Sequence, residues 1–440
     1  MLLSRILLIF SLILCSSLHA MEKISEIGAY EFELPNGITV CLRPIDDSDD
    51  ILIRGIAPGG FSVLPVTQRS SGKLAADIAW DSGFGPWSGN ELGNKLLTDS
   101  IELDARVTPF SRSIDGMASP ARIEELLQVI QQLYTAPHFD QSAMAAVKKR
   151  LSESVQLRHQ DPEMLFEDVI RSVNTGDLAV LHPVTAEDLR NIDFEVAKKF
   201  YLENFLSTDG LKFIIVGEFD VQTTVPLVAK YLGAIPKKSA AIGEELAPKI
   251  SIPPGVNKQE LVSKKLQECL TRLTFQLDLN ITESSWQQLE IAAQVIETRL
   301  RTRFQEVLGS TQGIDVAYEF PYYPHNSPAW LAIQFRCPNC KTDGLVALIL
   351  AEFQRLRTDG PTQQELEKVR RQQEVNDEFW LQHKRYWLEQ LSNYYLWGLD
   401  IRGMIKDYKN SPHYKPELIK EFLTKHLVIS GHTMVLLKPK

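Results

Sequence analysis

The sequence repeats one order of secondary structure on either side of a proline-rich segment, and this repetition constrains the fold more than any single motif does. Residues 236–256 hold four prolines and little apolar periodicity, which predicts a linker. Each half reads as strands, a helix, further strands, several helices and a final strand. That order predicts an α+β fold of two homologous domains at 28–236 and 257–440, each with a mainly antiparallel sheet packed by helices, and a linker at 237–256.

Apolar periodicity predicts the individual elements of the two halves. Asn36-Gly37, between two runs of alternating apolar residues, predicts a hairpin over 30–44. The other expected strands lie at 51–58, at 101–118 on both sides of Pro109, and at 211–219, 266–279, 313–320, 329–336 and 431–440. The expected helices lie at 71–81, 89–97, 140–158, 161–173, 186–202, 221–231, 284–307, 343–357, 363–381 and 383–397, with one more beginning at Ser119-Pro120.

In the stretch KLAADIAWDSGFGPWSG, residues 73–89, a helix of small and apolar residues runs into a glycine-rich turn. The turn has neither the Lys-Ser/Thr pair of a phosphate loop nor the glycine spacing of a dinucleotide-binding fold. A tight turn that leads into a helix capped by Ser88 and Glu91 explains the glycines instead. The open question is whether the first helix is structural or belongs to an active site.

The first 20 residues and the overall charge bear on where the protein works. A single positive charge followed by an apolar run at 7–14 predicts a secretory signal peptide, cleaved near Ala20, and hence an exported protein, periplasmic or secreted. Cys15 follows the bulky Leu14, so simple cleavage is favoured over lipidation. The net charge of −9 disfavours nucleic-acid partners, and no later stretch is long and apolar enough to predict a transmembrane span.

Cys337-Pro-Asn-Cys340 is the one C-x-x-C pattern of the chain. A zinc site needs two further ligands, usually a second such pair, and the sequence offers none. A redox motif needs a thioredoxin-like strand-to-helix setting. A local disulfide and two unreactive thiols at the end of a strand are the favoured interpretations, and both stay open.

Several segments resemble, in the same order, segments of the insulinase/pitrilysin-type zinc peptidases, the inverted zincins. The hairpin FELPNGITVCLRP resembles their first strand pair. The other similar segments are 150–170, 181–205, 211–236 and 357–372, and the resemblance extends over about residues 28–440. It implies one half of a clam-shell chamber, built from two homologous α+β domains, in which unfolded peptides pair with a sheet edge beside the zinc.

Members of that family hold zinc on a helix with the pattern H-x-x-E-H, in which the two His bind the metal and the Glu activates a water. None of the nine histidines of this chain forms the pattern. Aligning KLAADIAW with the family's helix puts Ala76, Ala79 and Trp80 at the positions of the first His, the Glu and the second His. The resemblance therefore implies neither catalytic residues nor a zinc site on this helix.

Three further functional positions of the family fall elsewhere in the chain. The third zinc ligand, a downstream Glu, falls near Glu153, for which a solvated helix residue is the favoured interpretation. The substrate-binding Arg and Tyr, which stabilise the oxyanion, fall at Gln305 and Gln312. A shift of register would bring Arg303 or Tyr318 to these positions instead.

Two other features have structural interpretations. His325 lies beside aromatic residues in an expected loop, where a surface role is favoured over a peptide contact. An aromatic-rich helical region is expected to pack in the core, with an interface face as the alternative. It holds Trp380, Tyr386, Trp387, Tyr394, Tyr395 and Trp397.

The glycine turn and the helix after it, GFGPWSGNELGNKLL, resemble the non-catalytic C-terminal half of long exported bacterial members. We therefore expect a non-catalytic subunit, inactive on its own, that pairs with a zinc-bearing half or forms a homodimer and encloses peptides for proteolysis. We expect no cofactor on this chain, and zinc only in a partner. Two alternatives stay open: a structural or peptide-binding protein of the cell envelope without a proteolytic role, and an active zinc metallopeptidase with atypical ligands.

Overall fold

The computed structural model describes residues 21–46, 49–241, 250–309, 313–320, 328–338 and 341–440. Some of the sequence-based predictions fall outside these residues and receive no structural account. They are the signal peptide at 1–20, part of the linker at 242–249, Gln312, His325 and Cys340.

The elements have the following bounds. The strands, in chain order, are β1 (Glu22–Ile24), β2 (Ala29–Glu33), β3 (Thr39–Pro44), β4 (Ile51–Pro58), β5 (Gly83–Phe84), β6 (Trp87–Ser88), β7 (Glu102–Val107), β8 (Ser111–Ala118), β9 (Lys212–Gly217), β10 (Val256–Ser263), β11 (Cys269–Leu277), β12 (Ile314–Glu319), β13 (Ala329–Cys337) and β14 (His432–Pro439). The helices are α1 (Arg69–Lys73), α2 (Ala75–Ser82), α3 (Gly89–Asp99), α4 (Ile123–Thr135), α5 (Gln141–Gln160), α6 (Pro162–Thr175), α7 (Ala186–Asn191), α8 (Phe194–Phe200), α9 (Val221–Tyr231), α10 (Glu283–Leu308), α11 (Thr342–Asp359), α12 (Gln363–Trp380), α13 (Lys384–Trp397) and α14 (Pro416–His426). Within the described ranges, no helix has the length and apolar character needed to cross a membrane.

Two sheets repeat one strand order. The first has the order β1-β2-β3-β9-β4-β8-β7, and the second has the order β10-β14-β11-β13-β12. The last five strands of the first sheet match the second sheet one by one. In both, the first pair (β3 with β9, β10 with β14) is parallel, and the pairs that follow are antiparallel. The predicted α+β class, with two homologous domains and mainly antiparallel sheets, is therefore confirmed.

Several elements differ from the expectations, among them the short strands β1, β5 and β6, which the apolar pattern does not predict, and the helix expected at 71–81, which is divided into α1 and α2. β10 begins at Val256, inside the predicted linker, and the apolar pattern does not predict α14. The helix expected at 186–202 is broken between α7 and α8. Asp193 causes the break because its side chain caps α8 by accepting the N–H of Val196 at 3.0 Å, while its own N–H donates to Ser71 at 2.9 Å.

The chain forms two compact units, and neither is continuous in sequence. Within the residues that the structure describes, the first unit is drawn from Met1–Ser152, Ala186–Leu246 and Trp380–Ile405, and the second from Glu153–Thr185, Ala247–Phe379 and Lys406–Lys440. The predicted domains at 28–236 and 257–440 are continuous, so they differ from these units in two segments. α6 belongs to the second unit because it packs on β14 and β10, and α13 belongs to the first because it packs on β4 and β9.

In the second unit, α6 packs on the two neighbouring strands β14 and β11. Phe166 and Ile170 of α6 form an apolar cluster with Leu270, Val435 and Leu437 of the sheet. Asn174, in the last turn of α6, is also buried and hydrogen-bonds to threonine side chains of β11 and β14. Polar and apolar contacts therefore fix one face of α6 on the sheet.

In the first unit, α4 and α13 lie on opposite faces of the sheet. Leu126 of α4 lies against Gly116 of β8, where an added Cβ would come within 3.1 Å of its methyl group. Gly116 pairs with Ile53, and the next residue of β4, Arg54, points to the other face. There Arg54 donates two hydrogen bonds of 2.9 Å to Glu389 of α13.

The aromatic residues of α13 hold this helix on the sheet. Trp387 is 2% exposed, and the guanidinium of Arg43 lies 4.4 Å from the centre of its ring. Tyr395 donates a hydrogen bond to Glu31 of β2. The predicted core packing of the aromatic-rich region is therefore confirmed for Trp387 and for Tyr394, which is also buried, and it is wrong for Trp380, which is 47% exposed.

Candidate functional site

Helix α2 carries the three positions at which the family resemblance implies zinc-binding and catalytic residues. Ala76, Ala79 and Trp80 are spaced by three and four residues, so they lie on one face of the helix. Ala76 is 2% exposed and Ala79 is 0% exposed, and α2 packs against the edge strand β7 and against α8. The two methyl groups therefore lie in a close-packed contact that a longer side chain would have to open.

Trp80 is the only one of the three that reaches the surface in part. Its ring meets the ring of Phe84 edge to face, with the centroids 5.8 Å apart and an interplanar angle of 71°. Phe84 is fully buried in β5. The indole is therefore held in place from one side and open to a cleft on the other.

The glycine turn after α2 has a structural cause. Gly83 has φ +99°, and a Cβ there would lie 2.2 Å from the carbonyl oxygen of Trp87 across the short β5–β6 hairpin. A Cβ on Gly89 would lie 2.1 Å from the carbonyl oxygen of Asp81. Glu91 accepts hydrogen bonds from the N–H and the hydroxyl of Ser88 at 2.9 and 2.7 Å, so the predicted capping pair forms.

A cleft of about 440 Å³ lies at the C-terminal end of α2, between the starts of α3 and α5. The N–H of Asp140, just before α5, donates to Ser82 Oγ at 3.0 Å, and Ser82 Oγ donates to the carbonyl of Ile78 at 2.7 Å. These bonds tie the start of α5 to the end of α2. The lining residues are Trp80, Asp81, Ser82, Ser88, Gly89, Asn90, Asp140, Ser142, Ala143 and Ala146.

Two carboxylates on α2 face one guanidinium on α5. Arg150 lies 3.1 Å from Asp81 and 3.7 Å from Asp77, measured between nitrogen and oxygen atoms. Burial raises the pKa of Asp77 from 3.8 to about 6; Arg150 opposes the rise, whereas Asp81 and Asp104 add to it. Asp77 therefore changes its charge near neutral pH.

The other predicted site residues lie elsewhere. Glu153 is an exposed residue in the middle of α5, as the favoured interpretation has it. Gln305 is an exposed residue in the last turns of α10. Of the two residues that a register shift would bring in, Arg303 is 3.0 Å from the buried Glu352, and Tyr318 donates a hydrogen bond of 2.9 Å to Glu290.

Cys337, the first cysteine of the C-x-x-C pattern, is buried at the end of β13. It is the register partner of Cys269 on β11, and its sulfur lies 3.4 Å from the hydroxyl of Thr342. Burial of this kind is typical of an unreactive thiol. The two interpretations of the pattern stay predictions because Cys340 is outside the described residues.

The chemistry of the α2 face follows from its side chains. Methyl groups have no lone pair for a metal, and the indole N–H of Trp80 is only a donor. In the part of the chain that the structure describes, no three His, Cys, Asp or Glu side chains are grouped as metal ligands. What the face does offer is an aromatic surface next to carboxylates.

Sequence reasoning misses the charged residues around this face. Asp77 and Asp81 are four residues apart on α2, and that spacing is a signal of one common helix face. Arg150 and Asp140 are about 60 to 70 residues further along the chain, and no local pattern joins them to α2. Only the packing of α5 beside α2 brings the four together.

The strand against which α2 packs is the last strand of its sheet. Among the residues that the structure describes, β7 pairs with β8 on one side and with no strand on the other. Its residues alternate, with Glu102, Asp104 and Arg106 exposed and Leu103 buried. Such an edge can pair with an added strand through its main chain.

The comparisons with known proteins agree with the sequence-based resemblance. Residues 191–373 match the family described as Peptidase M16 inactive domain. The zinc protease PQQL-like protein of Arabidopsis thaliana is 23% identical over 380 residues, which are 83% of this chain and 37% of that protein. This chain therefore spans little more than a third of its curated relative.

Two solved structures share the fold. The periplasmic protease PqqL of Escherichia coli has a TM-score of 0.76 at 15% identity, over 96% of this chain and 46% of its own. A peptidase M16 inactive domain from Pseudomonas fluorescens has a TM-score of 0.74 at 16% identity, over 94% of this chain and 98% of its own. The expected resemblance to the insulinase/pitrilysin-type (M16) peptidases is confirmed, and the fold is theirs.

The burial of Ala79 can be tested by restoring the charge that the family has at this position. We expect Ala79→Glu to destabilise the protein by about 3 kcal/mol, because the carboxylate would be buried without a partner in a close-packed contact. In a unit of about 200 residues this corresponds to a fall of roughly 6–12 °C in Tm. The measurement is thermal unfolding followed by calorimetry.

Ala145→Glu is the matched control, since Ala145 is an exposed residue of α5. We expect it to change stability by no more than about 0.5 kcal/mol. Equal Tm values for the two variants would show that the α2 face is not close-packed.

The pKa of Asp77 predicts a pH-dependent effect of Asp77→Asn. Because folding raises the pKa of this carboxyl group to about 6, its protonated form stabilises the fold below pH 4, and that stability is lost as the pH rises through 6. The asparagine does not ionise. The free energy of unfolding of the variant relative to wild type should therefore rise by about 1 kcal/mol between pH 4.5 and pH 7.5, after allowing for partial exposure, and the Tm of the variant relative to wild type should rise with it.

Glu195→Gln removes an exposed carboxylate on α8 and serves as the control for the change in net charge. A Tm difference between Asp77→Asn and wild type that is the same at both pH values would contradict the raised pKa.

Proposed function

Since this chain is similar to the M16 peptidases, and over residues 191–373 to their inactive domain, we propose that it is a non-catalytic subunit. It joins a zinc-bearing half and helps to enclose and bind peptides for proteolysis. The observation that carries this proposal is the burial of Ala76 and Ala79 on α2. The family resemblance aligns these two residues with a zinc ligand and with the catalytic Glu. A face that is used for packing has no room for a metal and its water.

The zinc in this proposal belongs to the partner. Trp80 stands at the second His position, and its N–H cannot coordinate a metal. PqqL and the Arabidopsis relative have more than half of their length beyond the region that matches this chain. A second half in the same chain or in a separate one would complete the chamber. A zinc-bearing subunit is therefore the first partner we propose, and a second copy of this chain is the other.

Peptide binding is proposed at the free edge of β7. The strand has six residues, and within the described residues β8 is its one strand partner. Strand addition recognises main chain and tolerates many side chains. This suits a chamber that takes unfolded peptides of varied sequence.

We also propose that the protein works outside the cytoplasm, after cleavage near Ala20. The support is the apolar run in the first 20 residues, together with the similarity to PqqL, which is described as periplasmic.

The proposal is tested by purifying the tagged full chain from the cells that make it. We expect a second protein with an H-x-x-E-H helix to co-purify in about equal amount, with zinc in the complex and none in the separated chain. Peptide hydrolysis should require the zinc-bearing protein.

Each other outcome contradicts the proposal in a defined way. Stoichiometric zinc and hydrolysis by the separated chain would support an active peptidase with atypical ligands. A stable assembly without a zinc-bearing member, and without effect on peptide cleavage, would support a structural role in the envelope. A zinc-free homodimer that binds no peptide would also overturn it.

Main-chain recognition predicts the effect of backbone methylation on peptide binding. An unstructured peptide of about 12 residues that is N-methylated at alternate positions loses the donors needed for strand pairing. We expect it to bind the full chain at least about tenfold more weakly than the unmethylated peptide, since several hydrogen bonds are lost. The measurement is a calorimetric or fluorescence titration, and equal affinities would exclude pairing with a sheet edge.

A further inference from the structure

The cleft at the end of α2 has an aromatic wall and acidic sides. Trp80 presents its indole ring, and Asp81 and Asp140 contribute carboxylates. The other lining residues are small or neutral, among them Asn90 and Ser142. At about 440 Å³ the cleft falls in the size range of small-molecule sites, so one long side chain of a ligand fits inside.

The lining carries negative charge near neutral pH. The N–H of Ser142 donates to Asp140 at 2.8 Å and holds the pKa of Asp140 below its usual value. Asp81 is 26% exposed and is paired with Arg150, whose own side chain is 54% exposed. The cleft lining thus has two carboxylates and no cationic side chain.

The two helix N-termini at the cleft do not make it favour anions over cations. α3 begins at Gly89 and α5 begins at Gln141, and helix N-termini attract anions. Each start already has its own carboxylate, however. Glu91 accepts from Ser88 and Asp140 accepts from Ser142. An incoming anion would meet these groups, whereas a cation would be attracted by them.

An aromatic face beside carboxylates is a recognised environment for an alkylammonium or a guanidinium. A cation over an indole gains attraction from the ring, most of all where water is partly excluded. A carboxylate adds a charge-assisted hydrogen bond. Trp80 is half-buried and held by Phe84, so its ring does not have to be ordered when a ligand binds.

We propose that this cleft accepts the lysine or arginine side chain of a bound peptide. The cation lies against Trp80, within reach of Asp140 and of Asp81, and the hydroxyl of Ser142 and the amide of Asn90 are further polar partners. The inference rests on the proposed peptide-binding function and names its substrate class, which is basic rather than acidic peptides. The face that lacks metal ligands thereby has a role in selecting the substrate.

The first experiment uses small probes, so that it does not depend on strand pairing. Nα-acetyl-arginine amide and Nα-acetyl-citrulline amide have nearly the same shape and differ in charge. Each is titrated into the full chain and followed by NMR or calorimetry. We expect the arginine compound to bind at least about tenfold more tightly than the citrulline compound.

Two variants locate the site. Asp140→Asn removes the charge and keeps an oxygen that can accept from Ser142, so the start of α5 is preserved. Trp80→Ala removes the ring. We expect each variant to reduce the preference for arginine at least fivefold, and Glu195→Gln, which removes an exposed carboxylate elsewhere, to leave it unchanged. If Trp80→Ala does not fold, Asp140→Asn alone decides whether the cleft is the site of the preference for arginine.

Equal affinity of the two probes for the wild-type chain, or an unchanged preference in Asp140→Asn, overturns the inference. A second pair of probes separates its failure from that of the proposed function. An unstructured peptide with one arginine is compared with its citrulline form. If both bind equally, peptide binding stands and the basic cleft is wrong. If neither binds while acetyl-arginine amide does, the cleft stands and the proposed function is wrong.

Discussion

Both faces of each large sheet need helices packed on them, and one of these helices comes from the other half of the sequence. β9 and β11 are buried at nearly every position, so side chains on both of their faces need partners away from water. In the first unit α13 supplies the second cover, and in the second unit α6 contributes to it. Neither half of the sequence, folded alone, would cover its sheet, because an apolar face would stay exposed.

This constraint explains which parts of the fold follow from the sequence. Strands and helices are local patterns, and the period of two or of 3.6 residues is visible in any window of about ten residues. The repeated order of elements along the chain is visible for the same reason, whereas the order of the strands within each sheet is not. The choice of which sheet a helix covers depends on contacts between residues hundreds of positions apart, such as Arg54 with Glu389. β10 is not predictable from the sequence for another reason. Most of its residues are exposed, so they show no apolar alternation.

The candidate site, too, is only partly predictable from the sequence. The family resemblance aligns Ala76, Ala79 and Trp80 with the zinc-binding motif and predicts that this helix lacks metal donors. It does not tell whether the alanines are exposed remnants or parts of a packed contact, since alanine is common in both settings. The structure places them in a packed contact. The residues of the cleft come from α2, the turn, and the starts of α3 and α5, and only the tertiary fold joins them.

The charges around α2 suggest how this helix pair holds together without a metal. In the family, the resemblance implies that a carboxylate of the second helix reaches the zinc bound to the first. Here Glu153, near that position, is exposed. One turn earlier on α5, Arg150 contacts Asp77 and Asp81, each one residue beyond a position where the family has a zinc-binding His. The attraction between the two helices is thus retained with the signs exchanged: the acids lie on α2 and the cation on α5. A metal joins helices through one fixed geometry, whereas a partly exposed ion pair does so weakly and in water. This leaves most of the stability of α2 to its buried alanines, and it leaves Asp140, the other carboxylate of the cleft, outside the ion pair.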